Sequence, residues 1–425
     1  MENKHIQILK SIWINCCRYI LSALFIFSGF VKIIDPLGSF YKLEDYAIAF
    51  GLIKWTPDFL LLLAGIGLAG IEFIIGLFLF FGIRRNISTG IGLLLMLFMT
   101  PLTLILALTN PISDCGCFGD ALVLSNWETF WKNVVLLAIA IYLFRNRRGI
   151  ISFFTEKTNW IVSLYSILFV ASLAIYNYRY LPILDFRPYT IGTNISEGMS
   201  IPDDAEEPVY ETLFLMEKQE EQKWFDLENY PDSTWTFVDS ETNLIKPGFV
   251  PKIENFSIIH PETGENITSE VLEDTSYTFL LIAYQIDKAN DSNIDLINEV
   301  YDYSVDNGYK FICLTSSLLD QVEEWSDKTG AEYPFYLTDE ITLKTMIRSN
   351  PGLILIKEGR ILNKWSHRSI PDEYQLIAPL DQLELGKVNT TSTKESLLSV
   401  LLWYFVPLAL LFLLDLLNRR RKQNK

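Results

Sequence analysis

Asp114-Cys115-Gly116-Cys117-Phe118-Gly119-Asp120 places two cysteines one glycine apart, in a short polar loop between two long apolar runs. Only five cysteines occur in the 425 residues. Two thiols this near each other can close a strained disulfide, exchange electrons with another thiol pair, or contribute to a soft-metal site. A Cys-x-Cys ring is very small, so strain raises its reduction potential, and Gly116 supplies backbone freedom for the two sulfurs to meet. Two thiolates need further ligands to hold a metal, and His5, His260 and His367 are scattered along the chain, so no metal site is expected. The readings that stand are a redox pair and a static disulfide that pins the loop.

Working outward from the loop, six segments are apolar enough to cross about 30 Å of hydrocarbon as helices: roughly 12–34, 59–82, 87–109, 128–144, 160–178 and 397–417. No small-residue cleavage site follows the first, which reads as a retained helix. Lys4, Lys10 and Arg18, then Arg84 and Arg85, then Arg145, Arg147, Arg148 and Lys157, and finally Arg419 to Lys422 fall at alternate ends of these segments. With all four clusters cytoplasmic, both termini are inside a bacterial inner membrane and the 110–127 loop faces the oxidising periplasmic side. Residues 181–395 hold 40 acidic and 16 basic side chains, leaving 11 and 19 for the rest. The chain is therefore an apolar, mildly basic membrane part joined to an acidic part on the same side as the cysteine loop. No basic face of a size for nucleic acid occurs outside the juxtamembrane clusters.

In the acidic part, runs such as Val209–Leu215 and Thr234–Val238 alternate like strands, and 181–250 reads as an acidic β-rich linker. From about 251, strands at 278–284, 309–315 and 333–337 alternate with helices near 291–307, 317–329 and 339–348. Asn350-Pro351, a hairpin of 352–357 and 360–365, and a helix near 371–384 complete an α/β sandwich with a mixed sheet.

That order resembles the thioredoxin-like fold, including a proline before the hairpin where the family carries a cis-proline. Where redox-active members carry Cys-x-x-Cys, this chain has Tyr284-Gln285-Ile286-Asp287-Lys288, and its one cysteine there, Cys313, lies in an apolar strand as a buried structural thiol. The resemblance therefore implies a docking or binding module. Residues 12–144 carry a second resemblance, through Ser28-Gly29-Phe30-Val31-Lys32-Ile33-Ile34-Asp35-Pro36, the amphipathic Phe40–Tyr46 segment, Glu72, and Cys115-Gly116-Cys117-Phe118-Gly119. These look like the DoxX/MauE superfamily of four-helix membrane proteins, with the last motif pointing to MauE. That likeness implies maturation of a disulfide-rich envelope protein, as in methylamine utilisation, or quinone-linked thiol oxidation. The fold class expected is thus an α-helical membrane bundle, a four-helix DoxX/MauE-like core plus two further transmembrane helices, with an outward thioredoxin-like domain. Its parts are 1–148 (the core), 149–180 (a fifth helix), 181–250 (the linker), 251–390 (the α/β domain) and 396–425 (a last helix and basic tail).

Other residues divide between chemistry and structure. Asp114 and Asp120 disfavour a thiolate beside them and read first as turn formers. Cys16 and Cys17 lie across the bilayer from the loop and read as packing residues or lipidation sites. Glu72, about halfway along its helix, is the candidate proton carrier or quinone ligand, against a polar lock between helices. Lys32 and Asp35 read as interfacial anchors, and Gly65, Gly67, Gly70, Gly90 and Gly92 as sites of close helix packing. Two functions remain open. Cys115 and Cys117 would cycle between dithiol and disulfide, with quinone as cofactor and an envelope protein as client. Alternatively the chain is a non-enzymatic, membrane-anchored scaffold with structural cysteines.

Overall fold

A computed structural model of the chain describes residues 2–423, except 113, 207–208, 219–220, 228, 247 and 390–392. Six of its helices are long and apolar enough to cross a membrane. They are α1 (Glu2–Ile34), α3 (Asp58–Phe81), α4 (Arg85–Thr109), α5 (Asn126–Arg145), α6 (Asn159–Arg179) and α12 (Thr393–Gln423). Between α1 and α3 lies α2 (Pro36–Ala49), started by the Asp35 carboxylate on the Gly38 amide and by Pro36 at its first position. Gly82, in the left-handed conformation, ends α3, and a Ser125/Glu128 capping box starts α5.

α1, α3, α4 and α5 share a core through Leu21, Phe25, Leu79, Met96 and Leu136, while α6 and α12 pack on the α3 side around Phe81, Val170 and Tyr404. The tight crossing is between α1 and α3. A Cβ on Gly76 would lie 2.7 Å from the Ile26 amide nitrogen, and one on Gly29 would collide with the Phe73 backbone. The glycines singled out from sequence are looser: Gly92 sits near Phe25, Gly70 and Gly90 meet only side chains at ordinary distance, and Gly67 meets nothing. The close approach thus falls on two glycines that no spacing pattern marked. At the other end of the bundle Arg18 is buried. Its guanidinium donates to the Ile151 carbonyl and lies 4.4 Å from the Tyr19 ring centre, so it is a packing residue as well as a cation.

Residues 209–246 form an antiparallel sheet ordered β2-β1-β3 from β1 (Val209–Lys218), β2 (Glu221–Phe225) and β3 (Thr236–Lys246). β2 is a polar edge strand that alternation did not reveal. The α/β module is a five-stranded sheet ordered β6-β5-β4-β7-β8. Its strands are β4 (Tyr277–Ile282), β5 (Lys310–Thr315), β6 (Phe335–Leu337), β7 (Gly352–Lys357) and β8 (Arg360–Ser366). β4, β5 and β6 run parallel, β7 pairs antiparallel with β4, and β8 turns back antiparallel to β7. β4 is buried at every position, which is why it reads as a continuous apolar run. Its alternate residues feed two cores. Leu280 and Ile282 meet α7 (Ile195–Met199), α8 (Thr268–Leu272) and α11 (Glu340–Met346) on one side. Phe279 and Leu281 meet α9 (Ile294–Asp306) and α10 (Leu319–Thr329) on the other.

Tyr189 and Ile195, expected in the linker, belong to the first of these cores. The helix expected near 371–384 does not form. Pro379 interrupts it, and two 3-10 turns, Leu380–Gln382 and Glu384–Gly386, stand there instead. Cys313 is buried in β5, where burial pushes its thiol pKa up.

Candidate functional site

α4 ends at Asn110, which adopts the left-handed conformation (φ 44°), and the chain then runs through the cysteine loop to α5. Asn126, the first residue of α5, ties the loop back by donating to Asn110 Oδ1 at 2.9 Å and to the Ile112 carbonyl at 2.8 Å. Cys115 and Cys117 are joined as a disulfide, with their Cα atoms 5.5 Å apart. Gly116 has φ +65°, and a Cβ there would strike the Lys42 side chain; both conditions require glycine. The Asp114 carboxylate accepts from the Gly116 amide at 2.7 Å and from Lys42 Nζ at 3.0 Å. That is the turn-forming role its position suggested.

Three helices clamp this loop. From α2, the Tyr46 hydroxyl donates to the Cys115 carbonyl at 3.1 Å. From α1, Ser28 Oγ lies 2.6 Å from the Cys117 carbonyl. Phe118 is buried against Phe27, with Lys132 Nζ of α5 4.2 Å from its ring centre.

Ser28 also lies 2.8 Å from Glu72 Oε2, and Lys32 Nζ holds both carboxylate oxygens at 2.9 and 3.1 Å. A serine hydroxyl has one proton and cannot donate to the Cys117 carbonyl and to Glu72 at once. The Ser28 proton therefore goes to one of these two acceptors at a time. Glu72 itself does not reach the sulfurs; it is buried and occupied by Lys32 and Ser28. Lys32, expected to reach for the interface, turns inward to this pair and is only 13% exposed. The energetic reason is that a buried carboxylate without a cation is far more costly than a paired one.

The α/β module covers the loop. Arg348, just past α11, lies 2.9 Å from Asp35 and 3.2 Å from Asp120, so Asp35 is also not an interfacial anchor. The Tyr284 and Tyr41 hydroxyls meet at 2.9 Å, Lys344 lies 4.6 Å from the Tyr41 ring centre, and Lys288 approaches Asp58 at 3.5 Å. Tyr284 and Gln285 occupy the place where a Cys-x-x-Cys pair was sought. Beside them the Asn350–Pro351 bond is cis, and Asn350 donates to the Gln285 carbonyl at 2.7 Å. The module thus presents that edge to α2. Behind it, Lys364 and Arg187 close on Asp185 at 3.2 and 2.8 Å, and Arg187 also donates to the Thr345 carbonyl.

A cavity of about 530 Å³ lies between loop and roof. Cys115 and Cys117 line one side, Leu68, Phe98, Met99 and Leu102 give an apolar wall, and Lys42, Lys344 and Arg348 belong to its smaller polar part. Burial raises the pKa of Tyr41 and of Tyr46, with Asp114 adding to the rise at Tyr46, so both hydroxyls stay protonated donors. Burial also raises Asp120 against the pull of Arg348. Arg348 is buried too, but Asp35 and Asp120 outweigh that and hold its pKa up. Among the described residues no three His, Cys, Asp or Glu side chains converge as metal ligands.

The site is thus a disulfide loop clamped on a bundle of long apolar helices and covered by an α/β module with a five-stranded mixed sheet. Residues 10–145 match the family described as methylamine utilisation protein MauE, and residues 210–247 match a domain of unknown function, DUF8463. No curated protein matches the chain. Solved structures similar to it include a hypothetical protein from Sinorhizobium meliloti 1021, at 14% identity and a TM-score of 0.26, covering 32% of this chain and 85% of that one. A candidate protein disulfide isomerase from Bacteroides thetaiotaomicron is 17% identical, with a TM-score of 0.24, over 33% and 91% of the two chains. An uncharacterized conserved protein from Geobacillus kaustophilus is 14% identical, also with a TM-score of 0.24, over 32% and 82%.

Of the residues singled out from sequence, Cys115, Cys117 and Asp114 line the cavity, while Glu72 lies behind it, paired with Lys32 and Ser28. Sequence reasoning missed Ser28, Tyr41, Tyr46, Tyr284 and Arg348 as parts of the site. A signal existed for two of them: Ser28 with Lys32, and Lys42 with Tyr46, are spaced four apart and so share a helix face. Nothing in Ile347-Arg348-Ser349 marks the arginine.

Proposed function

We propose that this is a membrane thiol-disulfide protein of MauE type, in which Cys115 and Cys117 exchange with the thiols of a cell-envelope client on the extracytoplasmic face. The observation that carries the reading is the disulfide on the wall of a mainly apolar cavity that also holds Lys42, Lys344 and Arg348. In the step itself a client thiolate attacks one cysteine sulfur, the Cys115–Cys117 bond breaks, and a mixed disulfide forms. The client's second thiolate then resolves it, leaving the client oxidised by two electrons and Cys115 and Cys117 reduced.

Return to the disulfide needs an acceptor, and a membrane quinone fits the cavity. Leu68, Phe98, Met99 and Leu102 would hold its apolar part, with the Tyr46 hydroxyl and Lys42 at the polar wall. Such a quinone supplies the sink for two electrons and two protons. Glu72 is not on that wall; its part is to pair with Lys32 and to position Ser28, which lies against the Cys117 carbonyl. The roof's own Tyr284 edge, held against Tyr41, is unavailable for a client.

A second reading draws on that same docked edge: the chain is a scaffold whose disulfide only fixes the loop. Mass shifts after thiol alkylation, with and without reductant, separate the two. The redox reading expects a population of Cys115/Cys117 dithiol in membranes and loss of client oxidation in Cys115→Ser and Cys117→Ser. A scaffold expects a permanent disulfide and unchanged partner binding in both variants.

A further inference from the structure

The end of the bundle opposite the cysteine loop carries another recess, of about 520 Å³. One face of α1 supplies Gln7, Lys10, Ser11 and Ile14, and the end of α5 with the turn beyond it supplies residues 145–149. Four cations, Lys10, Arg145, Arg147 and Arg148, surround this space, and among the described residues no carboxylate lines it. The next acidic residue along the chain, Glu156, is taken by Arg85 at 3.9 Å.

The recess is held in shape. A Cβ on Gly149 would lie 2.7 Å from Ile14, and Asn15 donates to the Ser11 carbonyl at 2.8 Å while accepting from the Ile151 amide at 3.3 Å. Arg147 is fixed by bonds of 2.8 Å to Asn86 and to the Phe144 carbonyl. The partial negative charge at the end of α5 offsets a fraction of one cation's charge, which leaves most of this positive charge uncompensated.

Its depth and surroundings say what offsets the remainder. The apolar spans within α1 and α5 run His5–Ile34 and Asn126–Arg145, so in a bilayer the recess would lie near the level of the phosphates. On the adjoining face of α1, Leu9 and Trp13 are 65% and 61% exposed, an apolar strip turned to lipid. We propose that this recess binds a phosphate-bearing anion, supplied by an anionic phospholipid whose head group sits among Lys10, Arg145 and Arg148 and whose chains follow Leu9 and Trp13. Basic pockets between membrane helices hold such head groups by the same pairing.

The test uses the full-length protein in neutral detergent, with bound ligand counted by native mass spectrometry. Phosphatidylglycerol, phosphatidylcholine and inorganic phosphate are added separately. The expected result is retention of phosphatidylglycerol over phosphatidylcholine, weakened about tenfold or more in Arg145→Gln/Arg148→Gln and in Lys10→Gln. Arg420→Gln/Arg421→Gln, an equal loss of charge outside the recess, should leave it unchanged. Saturation by inorganic phosphate, with no gain from the lipid, would support the anion site and assign it a soluble source. Equal weakening in the tail control, or no preference for phosphatidylglycerol, would overturn the proposal. An unchanged thermal midpoint in the single Lys10→Gln variant separates lost binding from lost fold.

Discussion

Arg348 joins the α/β module to the membrane bundle with one side chain. It is 7% exposed and faces Asp35, which is 16% exposed, and the more open Asp120. Arg348→Ala would leave Asp35 with no cation in a nearly closed site, a loss of about 3 kcal/mol by analogy with broken buried pairs. The expected readout is a lower thermal midpoint together with faster alkylation of Cys115 and Cys117 after reduction. Tyr284→Phe removes one neutral hydrogen bond and should cost about 1 kcal/mol. Asp185 gives a pH signature. Burial alone would push its carboxyl up, but Lys364 and Arg187 pull it below its ordinary 3.8. Its stabilisation is therefore complete above pH 3.8 and fades as the pH falls through the lower folded value. The gap in thermal midpoint between wild type and Asp185→Asn should be constant from pH 7 to about 5 and shrink below 3.8. A gap that widens in acid would contradict the pairing. At this scale the sequence made the cysteines, Asp114 and the depth of Glu72 legible, because local spacing carries that information. The partners of Lys32, Asp35 and Tyr41 come from distant parts of the chain, and no spacing rule reaches them.

The elements that read most clearly were the long ones. Six apolar runs became six long apolar helices, since about 20 apolar residues in a row have few alternatives. The α/β order was legible for a related reason: β4, β5 and β7 are buried on both faces and stand out as apolar blocks. Short or polar elements escaped, as β2 did, and so did the two 3-10 turns that follow Pro379 in place of the helix expected near 371–384. The α1–α3 crossing gives a contrast within one pair of helices. Gly76→Ala would drive a methyl group into the Ile26 backbone, which cannot retreat as a side chain would. It should lower stability by about 1–3 kcal/mol, whereas Gly67→Ala, with open space around it, should be neutral or slightly stabilising. A thermal-shift measurement on the two variants in the same detergent checks both.

For the whole molecule, the composition already divided an acidic part from an apolar one, and the structure adds how they meet. The module does not hang free of the bundle. It rests on α2 through Tyr284, Lys344 and Arg348 and encloses a cavity whose wall holds the disulfide. Such an interface was illegible beforehand, because neither surface is unusual until the other is placed against it. The account stands or falls on whether those sulfurs change state. Intact membranes should be quenched with an alkylating reagent before and after exposure to a reduced dithiol peptide, and the peptide containing Cys115 and Cys117 weighed. Two added alkyl groups after exposure, matched by a disulfide in the substrate peptide, is the predicted result. A bond that stays closed in every sample, with the substrate peptide still reduced, would contradict it.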